Sequence, residues 1–256
     1  MKEFQHLVDI IAQLRDPVAG CPWDIKQTPE SLIPNFIEEL YEAVEAIEER
    51  DSPALLEELG DLLLHIVFQA RIAEEGGCFG ITEVLNHITE KLIRRHPHVF
   101  ADANLTDADA VKLNWERLKK KEKAERVSVL EGIPRALPAL IYAQRTQEKA
   151  ASVGFDWPDL EPILDKLDEE EAELHAALAT GDNTLIADEL GDMLFTLVNL
   201  ARKLHIDAES ALKATTRKFH HRFHFIEEHY RQNGADIHEA SLAELDAVWD
   251  LAKKNR

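Results

Sequence analysis

Two groups of carboxylates, each written twice, are the residues of this chain most able to do chemistry. Glu38-Glu39-Leu40-Tyr41-Glu42 is followed by Glu58-Leu59-Gly60-Asp61, and Glu169-Glu170-Glu171-Ala172-Glu173 is followed, at the same interval, by Glu189-Leu190-Gly191-Asp192. On an α-helix, residues three or four apart share a face. Glu39 and Glu42 therefore project together, and so do Glu58 and Asp61 from the next helix. If two such helices pack antiparallel, four carboxylates converge on one small volume. Like charges that close repel unless a cation lies between them, and hard oxygen ligands select Mg²⁺, with Mn²⁺ as a substitute, over softer metals. The pattern predicts a divalent-metal site in each copy.

A lone EExxE in a chain with 49 acidic residues is usually a solvated helix face, so the surroundings have to decide. The second motif of each copy runs directly into an apolar stretch, Leu62-Leu63-Leu64-His65-Ile66-Val67-Phe68 in one and Met193-Leu194-Phe195-Thr196-Leu197-Val198 in the other. A helix apolar nearly all round is a buried helix. Glu58, Asp61, Glu189 and Asp192 are then expected at the mouth of a core, where charge needs a partner.

The elements that must position these groups are helices. Phe4, Leu7, Ile10, Ile11 and Leu14 recur at helical spacing, and the breaker cluster Gly20-Cys21-Pro22-Trp23-Asp24 ends that helix in a loop. An acid-bearing helix is expected from about Ser31 to Arg50, Asp51-Ser52-Pro53 turns the chain into the helix of Glu58 and Asp61, and Gly76-Gly77 ends it. A helix from Thr82 to Arg95 and a short one around Trp115 complete the half. The second half repeats the order: a helix from about Leu137 to Ala151, a loop at Gly154-Phe155-Asp156-Trp157-Pro158, two carboxylate helices separated by Gly181-Asp182-Asn183, and a helix from Ala208 to about Tyr230. Trp23 and Trp157 read as core residues at their loops. No segment alternates like a strand, so the fold expected is all-α: tandem duplicated helical domains at 1–120 and 134–256, joined by a charged, then Gly- and Pro-bearing linker at 121–133.

The basic residues repeat as well. Lys91 and Arg95 pair with Lys218 and Arg222, and Trp115 and Lys119 pair with Trp249 and Lys253, each at a spacing of four that places both members on one helix face. Any one of these residues is explained as an exposed cation or a core indole. Acids, Lys-Arg and Trp-Lys repeating together describe a polyphosphate site: metal held by carboxylates grips phosphate oxygens, Lys and Arg neutralise the far end of the chain, and an indole stacks on a base. Bare acids would repel polyphosphate, and divalent ions invert that sign.

Composition sets outer bounds. A net charge of −20 argues against sequence-independent nucleic-acid binding, which depends on neutralising phosphates with Lys and Arg. Cys21 and Cys78 are the only cysteines and show no CxxC spacing, so neither a zinc site nor a disulfide framework is indicated. No run of eighteen apolar residues exists for a membrane span, and the amphipathic start is unlike a signal peptide. The cytoplasm is the expected location.

With these residues in view, the chain resembles the MazG nucleoside triphosphate pyrophosphohydrolases. The resemblance covers nearly the whole sequence and rests on GCPWD at Gly20 to Asp24, EELYE with ELGD, RRHPHVF at Arg94 to Phe100, GIPRALPAL at Gly132 to Leu140, and QEKAASVGFDW at Gln147 to Trp157. It implies an all-α fold, a homodimer, and Mg²⁺-dependent hydrolysis of (d)NTPs to the monophosphate and pyrophosphate. It also implies that activity belongs to the second repeat, with Glu170, Glu173, Glu189 and Asp192 binding Mg²⁺ and Glu169 orienting or deprotonating water. Lys218 and Arg222 would hold the phosphates, and Trp249 and Lys253 would complete the nucleotide site. Matching types in the first repeat, Glu38, Glu39, Glu42, Glu58, Asp61, Lys91, Arg95, Trp115 and Lys119, offer a second site.

Competing readings are weaker. A di-iron carboxylate bundle needs Glu-x-x-His on two helices, and only Glu3 and His6 have that spacing, outside the acidic helices. His220 and His224 could share a face as a metal pair, although an exposed polar face explains them better. His96 and His98 flank Pro97 and read as shaping a helix end. A regulatory module, with one or both repeats kept as nucleotide sensor or scaffold, stays open for the first repeat.

Overall fold

The computed structural model describes residues 2–101, 107, 110, 111, 114, 115, 118 and 127–254. Helices carry it, and the described residues contain no strand, in accord with the all-α expectation. The chain divides into two compact units, residues 1–124 and 125–256. In the first, α1 (Lys2–Leu14) leads through a 3₁₀ turn at Asp24–Lys26 to α2 (Ile33–Glu49), α3 (Ser52–Glu75), α4 (Ile81–Arg95) and the single turn α5 (Pro97–Phe100). In the second, α6 (Ala139–Ala151), α7 (Glu161–Thr180), α8 (Asn183–Lys203) and α9 (Ala208–Gln232) are followed by a 3₁₀ turn at Ile237–Glu239 and α10 (Leu242–Lys254). Among the described residues, no helix is long and apolar enough to cross a membrane.

Capping fixes where the site helices begin. The Asp51 carboxylate accepts from the Ala54 N–H at the start of α3, and Asp182 accepts from the Thr184 N–H at the start of α8; each satisfies a donor that the first turn leaves over. The C-terminal ends of α2 and α7 differ. Gly181 closes α7 with φ 71°, a left-handed conformation glycine adopts freely, whereas Arg50 closes α2 with φ 60° and pays the Cβ penalty there. Arg50→Gly is expected to raise the stability of the first unit by roughly 1 kcal/mol, read as a higher midpoint in urea.

In each unit the helix bearing the ELGD motif is central. α3 packs against α2, α1 and α4, and α8 packs against α7, α6 and α9. Ile11, Leu32, Val67 and Phe68 form the buried centre of the first unit, with Phe4, Leu7, Leu14, Leu64 and Ile72 packed around it. In the second, Ile163, Ala177, Val198, Ile226, Val248 and Ala252 are buried.

Two expectations need correction. The apolar stretches of α3 and α8 are not buried all round. Leu59, Leu63 and Ile66 on α3, and Leu190, Leu194, Phe195 and Leu197 on α8, are exposed, because three packed neighbours cover only part of a helix's circumference. Trp23 and Trp157 are not core residues either: Trp23 is 58% exposed and Trp157 36%. What ties their loops down is polar. The buried Arg15 guanidinium donates to the Asp24 and Gln27 carbonyls and pairs with Glu75 at 2.6 Å, while lying 5.2 Å over the Phe68 ring. In the second unit Arg202 and Lys203 both pair with Asp156, and Lys203 also donates to the Trp157 carbonyl. Burial works against ionisation of Asp156, yet the hydrogen bonds and charges of Arg202 and Lys203 hold its pKa below the ordinary carboxylate value.

Candidate metal and nucleotide site

Helical register on α2 and α3 brings Glu39, Glu58 and Asp61 together, with ligand oxygens all within 4.8 Å of one another; on α7 and α8 it brings Glu170, Glu173 and Glu189 together within the same limit. These are the two groups among the described residues in which three or more metal-ligating side chains converge. The fourth predicted carboxylate stands outside each trio: Glu42 in the first repeat and Asp192 in the second, both exposed. An exposed carboxylate gains by turning into water, away from like charge. Both still act through their fields. Glu42 helps raise the pKa of Glu39 and Glu58, and Asp192 helps raise that of Glu189. Glu38 and Glu169 are exposed.

The two clusters handle their charge differently. In the first, burial, then the charges of Asp61 and Glu42, and a hydrogen bond shared with Glu58 push the Glu39 pKa up to about 7. A folded-state value raised from 4.5 means that the folded state holds a proton the unfolded chain releases, so stability is lost as pH rises from about 4.5 through 7. Without divalent cations, Glu39→Gln is expected to melt above the parent protein at pH 8 and together with it below pH 5, checked by thermal scans across that range.

In the second cluster a cation is built in. Lys166 lies 2.9 Å from Glu169 Oε1 and 3.0 Å from Glu170 Oε1, and these hydrogen bonds hold its ammonium pKa above the ordinary lysine value. Glu170 is 3% exposed, and its other oxygen, Oε2, is buried with no hydrogen-bond partner. Leaving a buried carboxylate oxygen unpaired is costly. With Glu173 and Glu189 beside it, the hard-oxygen donor set fits a divalent cation such as Mg²⁺ or Mn²⁺. Lys166 is the residue the sequence reading missed. Its spacing of three and four residues ahead of Glu169 and Glu170, a standard helical ion-pair register, was the available signal.

The basic constellation assembles in part. The Arg95 guanidinium, buried, lies 5.2 Å over the Trp115 ring, and Arg222 lies 5.6 Å over Trp249. Phe219 packs on Trp249 at 5.1 Å. Each indole thus meets an arginine in a cation–π contact. Lys253 pairs with Asp250 at 2.9 Å, and Lys119 lies outside the described residues. Lys91 is half-buried and Lys218 exposed.

The histidines lie in different settings. His96 caps α4 through its Nδ1 on the Leu92 carbonyl at 2.7 Å and packs edge-on against Trp115. His220, His221 and His224 are exposed and belong to neither metal-ligating group. His65, buried beneath the first cluster, has its pKa lowered by burial against the opposing charge of Asp61; Thr196 is buried in the corresponding position of the second repeat.

The chain is similar to known proteins over nearly its full length. The family model of the MazG nucleotide pyrophosphohydrolase domain matches it twice, at residues 27–100 and 159–225. The nucleoside triphosphate pyrophosphohydrolase/pyrophosphatase MazG of Thermotoga maritima is 47% identical over 98% of this chain and 95% of the relative. The nucleoside triphosphate pyrophosphohydrolase of Escherichia coli K12 is 42% identical over 99% of this chain and 98% of the relative. A solved structure, that of a mazG-related protein from Thermotoga maritima, aligns with 47% of this chain and 99% of its own at 24% identity and a TM-score of 0.39.

Proposed function

This chain belongs to the MazG nucleotide pyrophosphohydrolase family, and from that premise we propose that it hydrolyses nucleoside and deoxynucleoside triphosphates to the monophosphate and pyrophosphate at the second repeat. The observation that carries the site assignment is the buried, unpartnered Oε2 of Glu170, grouped with Glu173 and Glu189. These three, with Asp192 turning in, would hold Mg²⁺. When bound, the ion would neutralise phosphate charge and lower the pKa of water at the site.

The chain's own residues do the rest. Arg222, kept in place by the Trp249 ring, and Lys218 on the same face of α9 neutralise the phosphates, which for phosphoryl transfer is mostly positioning and charge stabilisation. Trp249 and Lys253 complete the nucleotide site. Glu169 orients the attacking water and accepts its proton. The water oxygen bonds to phosphorus, the α–β anhydride P–O bond breaks, and pyrophosphate leaves.

The exposed apolar faces of α3 and α8 support a homodimer, since open leucine-rich faces of this kind mark protein interfaces. The two repeats are taken as 1–120 and 134–256 about a linker at 121–133, and the protein is placed in the cytoplasm with the nucleotide pool. A nucleotide-sensing role is kept for the first repeat alone, whose carboxylates converge without the buried, unpartnered oxygen that Glu170 supplies in the second.

The test is pyrophosphate release from each NTP with Mg²⁺ present. EDTA should stop it and excess Mg²⁺ should restore it; no release from any NTP would overturn the proposal.

A further inference from the structure

His220 and His224 on α9 serve neither the carboxylate cluster nor the cations assigned to phosphate. They stand at a spacing of four, and Glu227 follows three residues after His224, so the three form one stripe along the helix. All three are exposed. Two contacts distinguish this stripe from an ordinary solvated face. His224 Nδ1 lies 3.5 Å from Glu227 Oε2, which places the carboxylate to accept the Nδ1 proton and leaves Nε2 as the nitrogen with a lone pair to give. Beside the stripe, the Phe219 and Phe223 rings stack with centroids 5.9 Å apart and planes 10° from parallel, and they line one open recess with His220, His221, His224 and Glu227.

We infer that His220 and His224 form a binding site for a borderline divalent ion, Zn²⁺ or Ni²⁺, with Glu227 as the carboxylate that orients His224. Two imidazoles at i and i+4 of a helix can give their nitrogens to one ion. Imidazole suits Zn²⁺ and Ni²⁺ where carboxylates suit Mg²⁺ and Mn²⁺, so this site and the carboxylate clusters take different ions. The histidines also stand apart from the phosphate-binding face. At 3.6 residues per turn, Arg222, two positions from each histidine, lies about 200° round the helix from both, where it meets Trp249. Lys218, two positions before His220, lies about 200° from it by the same geometry. An ion held by the histidines therefore leaves both cations in place and clamps, from the outer side, the turn of α9 that carries Arg222. Nothing in this ion site depends on which reaction the second repeat performs.

The experiment titrates the full chain with Ni²⁺ by calorimetry in excess Mg²⁺, which competes for the carboxylates. A site for one Ni²⁺ per chain is expected in the parent protein. His220→Ala and His224→Ala should each weaken it by at least about tenfold, and Glu227→Ala by about tenfold, the scale on which a carboxylate behind a ligating histidine acts. His221→Ala and Glu170→Gln should leave it unchanged. The substituted residues of the stripe are exposed, so these variants should fold, and far-ultraviolet circular dichroism checks that they do. A chelate across one turn holds only while that turn is helical, so Ni²⁺ should raise the melting temperature of the parent and not that of His220→Ala or His224→Ala. A parent without the Ni²⁺ site or without the rise in melting temperature would overturn the inference, as would a site indifferent to both histidine variants. A site lost in Glu170→Gln would place the ion among the carboxylates, and one lost in His221→Ala would place it on another histidine; either contradicts the assignment.

Discussion

Glu170→Gln is expected to reduce pyrophosphate release by about 10³-fold, while Glu39→Gln, the same change in the first repeat, keeps most of it. Glutamine fills the same volume, so the buried site keeps its packing. What disappears is the negative charge of the one ligand oxygen that is both buried and unpartnered. Weakening a metal's hold on the phosphates forfeits several kcal/mol of charge stabilisation, and each 1.36 kcal/mol is tenfold in rate, so a loss of roughly 10³ is the expected scale. Lys166 retains Glu169 as a partner, so the variant should fold. Steady-state kcat for both variants, with thermal scans as a control, checks this. Equal losses from Glu39→Gln and Glu170→Gln would contradict assignment of turnover to the second repeat.

The second large effect is on stability. Arg15→Ala should destabilise the first unit by roughly 3 kcal/mol, the scale for removing one member of a buried ion pair, discounted because Glu75 is partly exposed. One side chain holds three things together: Glu75 at the end of α3, and the carbonyls of Asp24 and Gln27 in the loop leading to α2. Its loss leaves those carbonyls short of a donor and loosens the loop. A fall in melting temperature of roughly 10 °C is expected for a unit of this size. The pH dependence has a definite sign. The hydrogen bond from Arg15, against the opposing effect of burial and with help from Arg71, holds the Glu75 pKa below its ordinary 4.5. That contribution is present in full above about pH 4.5 and is lost as pH falls through the folded value. The gap between parent and Arg15→Ala should therefore narrow in acid, and thermal scans at pH 7 and pH 3 measure it.

Helix existence and order were legible because periodicity and breakers agreed. The turns expected at Asp51-Ser52-Pro53 and Gly181-Asp182-Asn183 hold the residues that cap α3 and α8, and α4 begins within one residue of the expected Thr82. The converging carboxylates were legible for the same reason, since a helix fixes which residues share a face. Three things were not. A hydrophobic stretch does not say whether its second face meets its own chain or another, so the open faces of α3 and α8 read as core. A loop tryptophan carries no sign of whether packing or an ion pair anchors its loop, and Arg15 and Arg202 turned out to be the anchors. A lysine one turn before a pair of acids is a common helical register, so in the sequence Lys166 does not stand out from surface charge, although it bridges Glu169 and Glu170.

The most direct test of the account is phosphorus NMR of the products formed from an NTP and Mg²⁺ by the full chain. Nucleoside monophosphate and pyrophosphate in equal amounts are predicted. Nucleoside diphosphate with inorganic phosphate would mean that the β–γ bond is cut, and would contradict it.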